Sequence, residues 1–492
     1  MNAKFQPSHL DPQPAGGVST QRPDKASIIP LLKADLENEQ AQTQEKKEDA
    51  GPVLYYGNPL DAAKQFSRTG KKKVYWQGCL YEYSGSAYQE KTIDDEKADL
   101  YRFLAGAKVV ENEVVKPYHP NRNRVGEILE ALKATVNLSD TLKPPCFISG
   151  NGEQGKYLAV QNGILNIATR QLEKSTPDFF TLNALPYAYS QDAPPPIEWT
   201  RFLRSIWPDD QQAVDTLQEM FGYLLSSDTS QQKIFSIVGP PRSGKGTIGR
   251  CLNALLGPDN VCAPTLGNLA QQFGLAALIG KKAAVISDAR LSAKADQAAI
   301  AERLLSISGE DHQGVPRKFL SDYNGPLNVR FIIFSNELPR LADASGALPS
   351  RFILLTMKQS FLGREDHGLT RRLMDELPSI LNWSLDGLDR LNRRGFFIQP
   401  DSGKEAVQEL ADLSSPISAF LRDNCIIGPE HAVSTKTLYE AWCKWCDEQG
   451  RDYPGNSASF GRDLRAAVPG LSLVQPRIGG DRQRMYQGVS LG

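Results

Sequence analysis

Apolar positions along this chain follow two periods, and the change between them divides it. Residues 1–57 follow neither. They hold Pro12-Gln-Pro-Ala-Gly-Gly17 and a Glu/Gln/Lys stretch from Glu37 to Asp49, so a disordered tail is expected there. Val74-Tyr-Trp76 and Cys79-Leu-Tyr-Glu-Tyr83 predict two strands around a Gln77-Gly78 turn. Asp94–Leu104 and Val125–Val136 have helical spacing, and Tyr157–Leu172 predicts strand pieces broken at Asn162-Gly163. After Ala193-Pro-Pro-Pro196, two helices are predicted over Trp199–Trp207 and Ala213–Leu225, the second striped by Leu217, Met220, Phe221 and Leu224. From Lys233 to about Leu391, short buried strands alternate with helices, the pattern of a parallel α/β core. A polar linker is expected over Pro400–Ser415. A last unit follows, with helices at Ile417–Asn424, Lys436–Cys446 and Ser457–Val468 and a wing over Ser472–Val489 that turns at Gly479-Gly480.

Composition adds exclusions. No run of 18 apolar residues predicts a membrane span. The N-terminus lacks the apolar core of a signal peptide, so a cytoplasmic protein of a bacterial or phage system is expected. Seven scattered cysteines fit a reducing compartment. Cys443 and Cys446 are spaced like metal ligands but lie in a helical run with no second pair, so they are read as a helix face. The net charge of −1 means that any contact with nucleic acid must concentrate positive charge locally.

The strongest chemical signal is Gly239-Pro-Pro-Arg-Ser-Gly-Lys-Gly-Thr247, between the apolar strand Ile234–Val238 and a helix with Ile248, Leu252, Leu255 and Leu256 on one face. Strand, glycine-rich loop and helix together make a phosphate loop. Backbone N–H groups from Gly239, Pro241's successor Arg242, Ser243, Gly244, Lys245, Gly246, Thr247 and Ile248 would surround phosphates, with Pro240 and Pro241 shaping the turn. Lys245 would place its charge on the β/γ oxygens of ATP. The hydroxyl that usually follows the lysine is displaced by Gly246, so Thr247 is the expected Mg²⁺-side ligand. Lys282-Ala-Ala-Val-Ile-Ser-Asp288 is a buried strand ending in a carboxylate, and Asp288 is the expected metal-holding acid. Asn328–Asn336 is a second such strand, and Asn336 can orient the attacking water. Arg351 follows 15 residues on, placed to reach a neighbouring subunit's site, with Arg340 as a competitor.

This order resembles superfamily 3 helicases. Ile286-Ser-Asp-Ala-Arg-Leu291, Leu305–Asp311 and Ser335–Asp343 look like the C-terminal helicase of the phage/plasmid primase family, which is related to poxvirus primase-helicases. Asn162-Gly-Ile-Leu-Asn166 and Pro177–Pro186 resemble that family's helicase-associated N-terminal domain. The resemblance implies a multidomain α/β protein. Its parts would be a tail at 1–57, an N-terminal α+β helicase-associated domain at 58–192, a helical collar at 193–230, a P-loop AAA+-like parallel-sheet ATPase core at 231–395, a linker at 396–415 and a C-terminal winged helix at 416–492. It also implies a hairpin lining a ring's channel, where Arg317, Lys318 and Phe319 meet single-stranded DNA, and a hexameric homo-oligomer is the form expected of such a ring. Many members carry two adjacent acids at the second strand's end; here Ala289 follows Asp288, so the water-activating acid is sought at Glu310 or Glu337.

From Arg451 onward six arginines face three acids. Arg462 and Arg465 on the third helix, and Arg482 and Arg484 on the wing, are the expected duplex contacts. The segment before residue 190 offers only Asp94-Asp95, His9 and His119 toward a priming site, so a separate primase is the expected partner. The reading is an ATP-dependent DNA helicase of a phage, prophage or plasmid replication system. An origin-binding remodeller that does not unwind is the alternative, and a nucleotide kinase the lesser one, since its loop would open the chain rather than follow 230 residues.

Overall fold

The computed structural model describes residues 51–492 except 56, 112, 152–154, 290, 292–294, 319–321, 344–345, 452–453 and 479–480. Most of the expected tail, Phe319 and the Gly479-Gly480 turn thus lie outside the described residues. The chain separates into two compact units, residues up to 69 with 94–135, and residues 70–93 with 136–492. The expected single N-terminal domain at 58–192 is therefore divided between them. In the first unit, Val53–Tyr55 pairs in parallel with Lys108–Glu111, which pairs antiparallel with Val114–Pro117. Residues 53–55, read from sequence as tail, are thus a strand. Helices Pro59–Arg68, Ile93–Ala105 and Arg122–Thr135 accompany this sheet.

The second unit is α/β, and its centre is a five-stranded parallel sheet. Its core elements are numbered here: α1 (Ile197–Ile206), α2 (Gln211–Leu225), β1 (Ile234–Val238), α3 (Lys245–Leu256), β2 (Val261–Cys262), β3 (Ala283–Ile286), α4 (Gln297–Ser308), β4 (His312–Val315), β5 (Tyr323–Pro326), β6 (Arg330–Ser335), β7 (Phe352–Thr356) and α5 (Leu377–Arg394). The sheet order is β2-β3-β6-β1-β7. β1 is flanked on both sides by strands that come later in the chain, so all of Ile234–Ile237 is buried. That explains its nearly continuous apolar run, broken only by the buried Ser236. β4 and β5 form a separate antiparallel hairpin.

α2 and α5 meet almost backbone to backbone. A Cβ on Gly222 would stand 2.2 Å from the Ser384 carbonyl oxygen, and one on Gly387 2.5 Å from the Gln218 carbonyl. Around that contact, Trp199, Phe221 and Trp383 pack ring against ring. Glu219 on α2, 2% exposed, accepts from Arg390 at 2.7 Å and from Arg394 at 3.0 Å, both on α5.

α2 ends inside the protein, and no basic residue occupies its own last turn. Its open carbonyls are met instead by two cations at the starts of strands. Arg330 Nη2 donates to the carbonyls of Tyr223, Leu224 and Ser226 at 3.0, 2.9 and 2.6 Å. Lys282 Nζ donates to Leu225 at 2.9 Å. A helix C-terminus presents unpaired carbonyls and partial negative charge, so these cations replace a local cap. Burial and the neighbouring Arg330 push the Lys282 ammonium down to about 7.

Sequence spacing predicts a linker over 396–415, yet Lys404–Ser414 is a helix that buries Leu410. In the C-terminal part, helices fall at Pro416–Asn424, Thr435–Glu448 and Ser457–Ala467. The ten-residue strand Cys425–Ser434, absent from the sequence reading, pairs antiparallel with Met485–Leu491, which also pairs with Ser472–Val474. Its alternation is broken by Gly428-Pro429, which hides it from pattern reading.

Two outcomes follow from the α2 clamp. Arg330→Met strands three buried carbonyls and lowers unfolding stability by about 2–4 kcal/mol in denaturant titration. For Lys282, the unfolded chain keeps between about pH 7 and 10 a proton that the folded chain sheds, so its contribution to stability rises with pH across that window. Comparing denaturation midpoints at pH 7 and 9, the native chain gains on Lys282→Met as pH rises; equal changes in both count against a deprotonating Lys282.

Candidate functional site

The carboxyl ends of parallel strands open a crevice where neighbouring connections leave in opposite directions. Here the chain leaves β1 through Gly239–Gly244, and a cavity of about 720 Å³ lies against that loop. Gly244 caps α3 with φ +102°, a conformation open to glycine, and it packs on Phe202 of α1. Lys245 opens α3 and turns back: its Nζ donates to the carbonyls of Gly239 and Pro240 at 2.6 and 2.7 Å and to Ser243 Oγ at 3.2 Å. Burial lowers its ammonium from the usual range.

Of the predicted loop residues, Pro241, Arg242, Ser243, Gly244, Lys245, Gly246 and Thr247 line the cavity. Gly239 and Pro240 stand behind them as carbonyl acceptors for Lys245. Ile248 needs correcting as a contact: its side chain is fully buried in the core, and its N–H donates to the Gly244 carbonyl at 3.1 Å. Asn336, one residue beyond β6, lines the cavity too. Asp288 is exposed, two residues beyond β3. Since Ile286 pairs with Ile333, it stands level with Ser335 at the same sheet edge, outside the cavity wall. Thr247 Oγ1 accepts from Arg250 Nη2 at 3.1 Å.

Sequence reasoning missed the rest of the wall. Arg201 and Phe202 come from α1, Arg250 from α3, and Phe361, Arg364 and Arg372 from the segment after β7. Six cationic side chains face three carboxylates, Glu198, Glu365 and Asp366. Such a surplus suits a ligand with several negative charges. Arg250 was legible, one helical turn past Thr247. The others belong to no spacing pattern and become neighbours only through the fold.

Arg351 and Glu310 occupy the other end of the sheet. Arg351 precedes β7, and its Nη1 donates to Gln232 Oε1 at 2.5 Å. The five-residue strand Phe352–Thr356 separates it from Met357 beside the loop, a span of roughly 20 Å. Glu310 follows α4 with φ +66° and accepts from the Thr229 hydroxyl. As an acid for its own chain's cavity, Glu310 is corrected: it lies beyond the sheet's amino edge. Glu337 adjoins Asn336 at the cavity end.

At the turn of the β4–β5 hairpin, Arg317 donates to the Gln77 carbonyl at 3.3 Å and to Cys79 Sγ at 3.5 Å. Lys318 Nζ lies 5.7 Å from the Phe273 ring centre. In the C-terminal part, Arg462, Arg465, Arg477, Arg482 and Arg484 are all exposed. Arg462 pairs with Asp463 at 3.2 Å. Arg477 stands directly opposite Arg482 across the Arg477–Ile478/Asp481–Arg482 hairpin.

Residues 66–208 match a family model described as D5 N terminal like, and residues 237–351 match a family of unknown function (DUF5906). The second match spans the loop, Asp288, Asn336 and Arg351. An uncharacterized mitochondrial protein, ymf21 of Marchantia polymorpha, is 27% identical over 128 residues, covering 24% of this chain and 71% of that protein. Among solved structures, the apo NrS-1 C terminal region is similar at 12% identity and TM-score 0.51, covering 88% of this chain and 100% of that one. Its A form is similar at 13% identity and TM-score 0.50, covering 88% and 99%. These structural likenesses show a shared fold.

Arg317→Ala is expected to speed amide exchange across His312–Pro326 in hydrogen-exchange mass spectrometry while leaving the global unfolding midpoint unchanged, because the contact ties down a surface hairpin rather than the core. Unchanged hairpin exchange counts against the latch.

Proposed function

We propose that this chain is an ATP-hydrolysing motor that works on DNA in a phage or plasmid replication system. The D5 N terminal like match, together with the shared fold of the NrS-1 C terminal region, supports a phage-type primase-helicase relationship and a replication role. The observation that carries the reading is the cavity at the carboxyl edge of the sheet, walled by the Pro241–Thr247 loop, Asn336 and a surplus of cations.

Lys245 would neutralise the β/γ-phosphates, its ammonium exchanging the Gly239 and Pro240 carbonyls for phosphate oxygens. Thr247 and Asp288 suit a Mg²⁺ ion, both offering oxygen at the same edge. Arg250 must then release the Thr247 hydroxyl. The bound ion would supply charge neutralisation of the transferring phosphoryl group. Asn336 would hold the attacking water, with Glu337 the nearer of the two acids considered. Arg351, about 20 Å along the sheet from its own loop, would serve the site of an adjoining copy, so an active unit is a closed oligomer, most simply a hexameric ring. Arg317, Lys318 and Phe319 would meet single-stranded DNA. The C-terminal part, read as a winged helix, would present Arg462, Arg465, Arg482 and Arg484 to duplex phosphates. A separate primase would complete the system.

Lys245→Ala is expected to abolish DNA-stimulated ATP turnover. Arg351→Ala should lower kcat by about 10³-fold, and mixing the two inactive chains should restore part of the activity, because each supplies what its neighbour lacks. Turnover that survives Lys245→Ala, or a mixture no better than either variant, overturns the reading. A strand-displacement assay with ATP separates a helicase from a remodeller. In salt titrations of duplex binding, replacing Arg482 by Ala should reduce the slope of log K against log[salt] by about one.

A further inference from the structure

Arg351 is half-buried at the amino edge of the sheet, and among the described residues no carboxylate pairs with it. Neutral acceptors alone hold its guanidinium. Nη1 donates to the Gln232 side-chain oxygen at 2.5 Å and to the Ser308 carbonyl at 3.5 Å, the second at the limit of a hydrogen bond. A carboxylate in the place of Gln232 would orient the group and cancel its charge together. A neutral amide orients it and leaves the charge for an anion from outside. Lys233 feels that charge: burial first, and then Arg351, lower its ammonium from the usual range.

Gln232 is itself fixed at both ends. Its backbone N–H donates to the Thr229 carbonyl at 2.9 Å, closing a turn between α2 and β1. Its side-chain nitrogen donates to the Gly309 carbonyl at 3.4 Å, just past α4, which turns the amide so that its oxygen faces Arg351. Its φ is +52°, in the left-handed region. Glycine adopts that conformation freely, whereas glutamine has no special aptitude for it. A non-glycine residue persists there where its surroundings over-determine it, and such positions cluster at functional sites. What this strain secures is the amide that glycine lacks.

We propose that Gln232 is the positioning residue of Arg351. It fixes the guanidinium at the amino edge with its charge uncancelled, set to meet the phosphoryl group bound in the loop cavity of an adjoining copy. The inference rests on the motor reading. It adds a residue that touches neither nucleotide nor DNA and acts through Arg351 alone.

The test is Gln232→Gly in the full chain. The change removes the amide and relieves the backbone, so the melting profile is expected to hold while kcat for ATP falls about ten- to a hundredfold and KM for ATP stays the same. Chain mixing then locates the defect. Mixed with the Lys245→Ala chain, whose Arg351 is properly held, Gln232→Gly should recover part of its activity. Mixed with the Arg351→Ala chain it should not, because neither chain presents a well-placed guanidinium. Rescue by Arg351→Ala, failure of Lys245→Ala to rescue, or a native kcat in Gln232→Gly overturns the inference. The pairing of Lys245→Ala with Arg351→Ala keeps the two readings apart. If that pair recovers activity, the motor stands and Gln232 is judged by its own mixtures; if it stays inactive, the motor falls and this inference with it.

Discussion

Four carbonyl groups at the buried end of α2 set the terms for the rest of the second unit. They belong to buried residues, and the helix supplies no cation of its own. Lys282, the residue before β3, and Arg330, the first residue of β6, satisfy them instead, and among the described residues no carboxylate hydrogen-bonds to either. The tie fixes the amino edge of the sheet to a helix that is itself pressed against α5 through Gly222 and Gly387. With that edge anchored, the carboxyl edge is free to be built from loops. The cavity beside the Pro241–Thr247 loop lies at that end.

The two ends carry different chemistry. At the carboxyl edge, the Pro241–Thr247 loop and several arginines line one cavity with a surplus of positive charge. At the amino edge stand Arg351, Glu310 and Gln232, too far along the strands to serve the same chain's loop. The separation follows from strand length alone.

What the sequence disclosed was whatever its local grammar encodes. The buried runs 234–238 and 330–335 announced a parallel sheet because both their faces are covered. The loop was readable because glycines, lysine and helix are contiguous. Arg201, Phe361, Arg364 and Arg372 were not, since they reach the cavity from segments over 100 residues apart. Glu310 misled because its place between the Asp288-ended and Asn336-ended strands in sequence does not translate into nearness in space: α4 returns the chain from β3 and delivers Glu310 to the opposite edge. The linker expected at 396–415 proved helical because a few buried positions, chiefly Leu410, suffice to hold a short polar helix against a larger core. The strand Cys425–Ser434 stayed hidden behind its central Gly-Pro.

Arg477 facing Arg482 across a two-residue ladder gives the tip of the last hairpin a built-in repulsion, since like charges opposed on neighbouring strands push apart. Dissolved ions relieve that strain by screening, just as a polyanion relieves it by binding. Raising ionic strength therefore tightens the tip while loosening its grip on any polyanion, so firmness and affinity at this spot must part company rather than rise together.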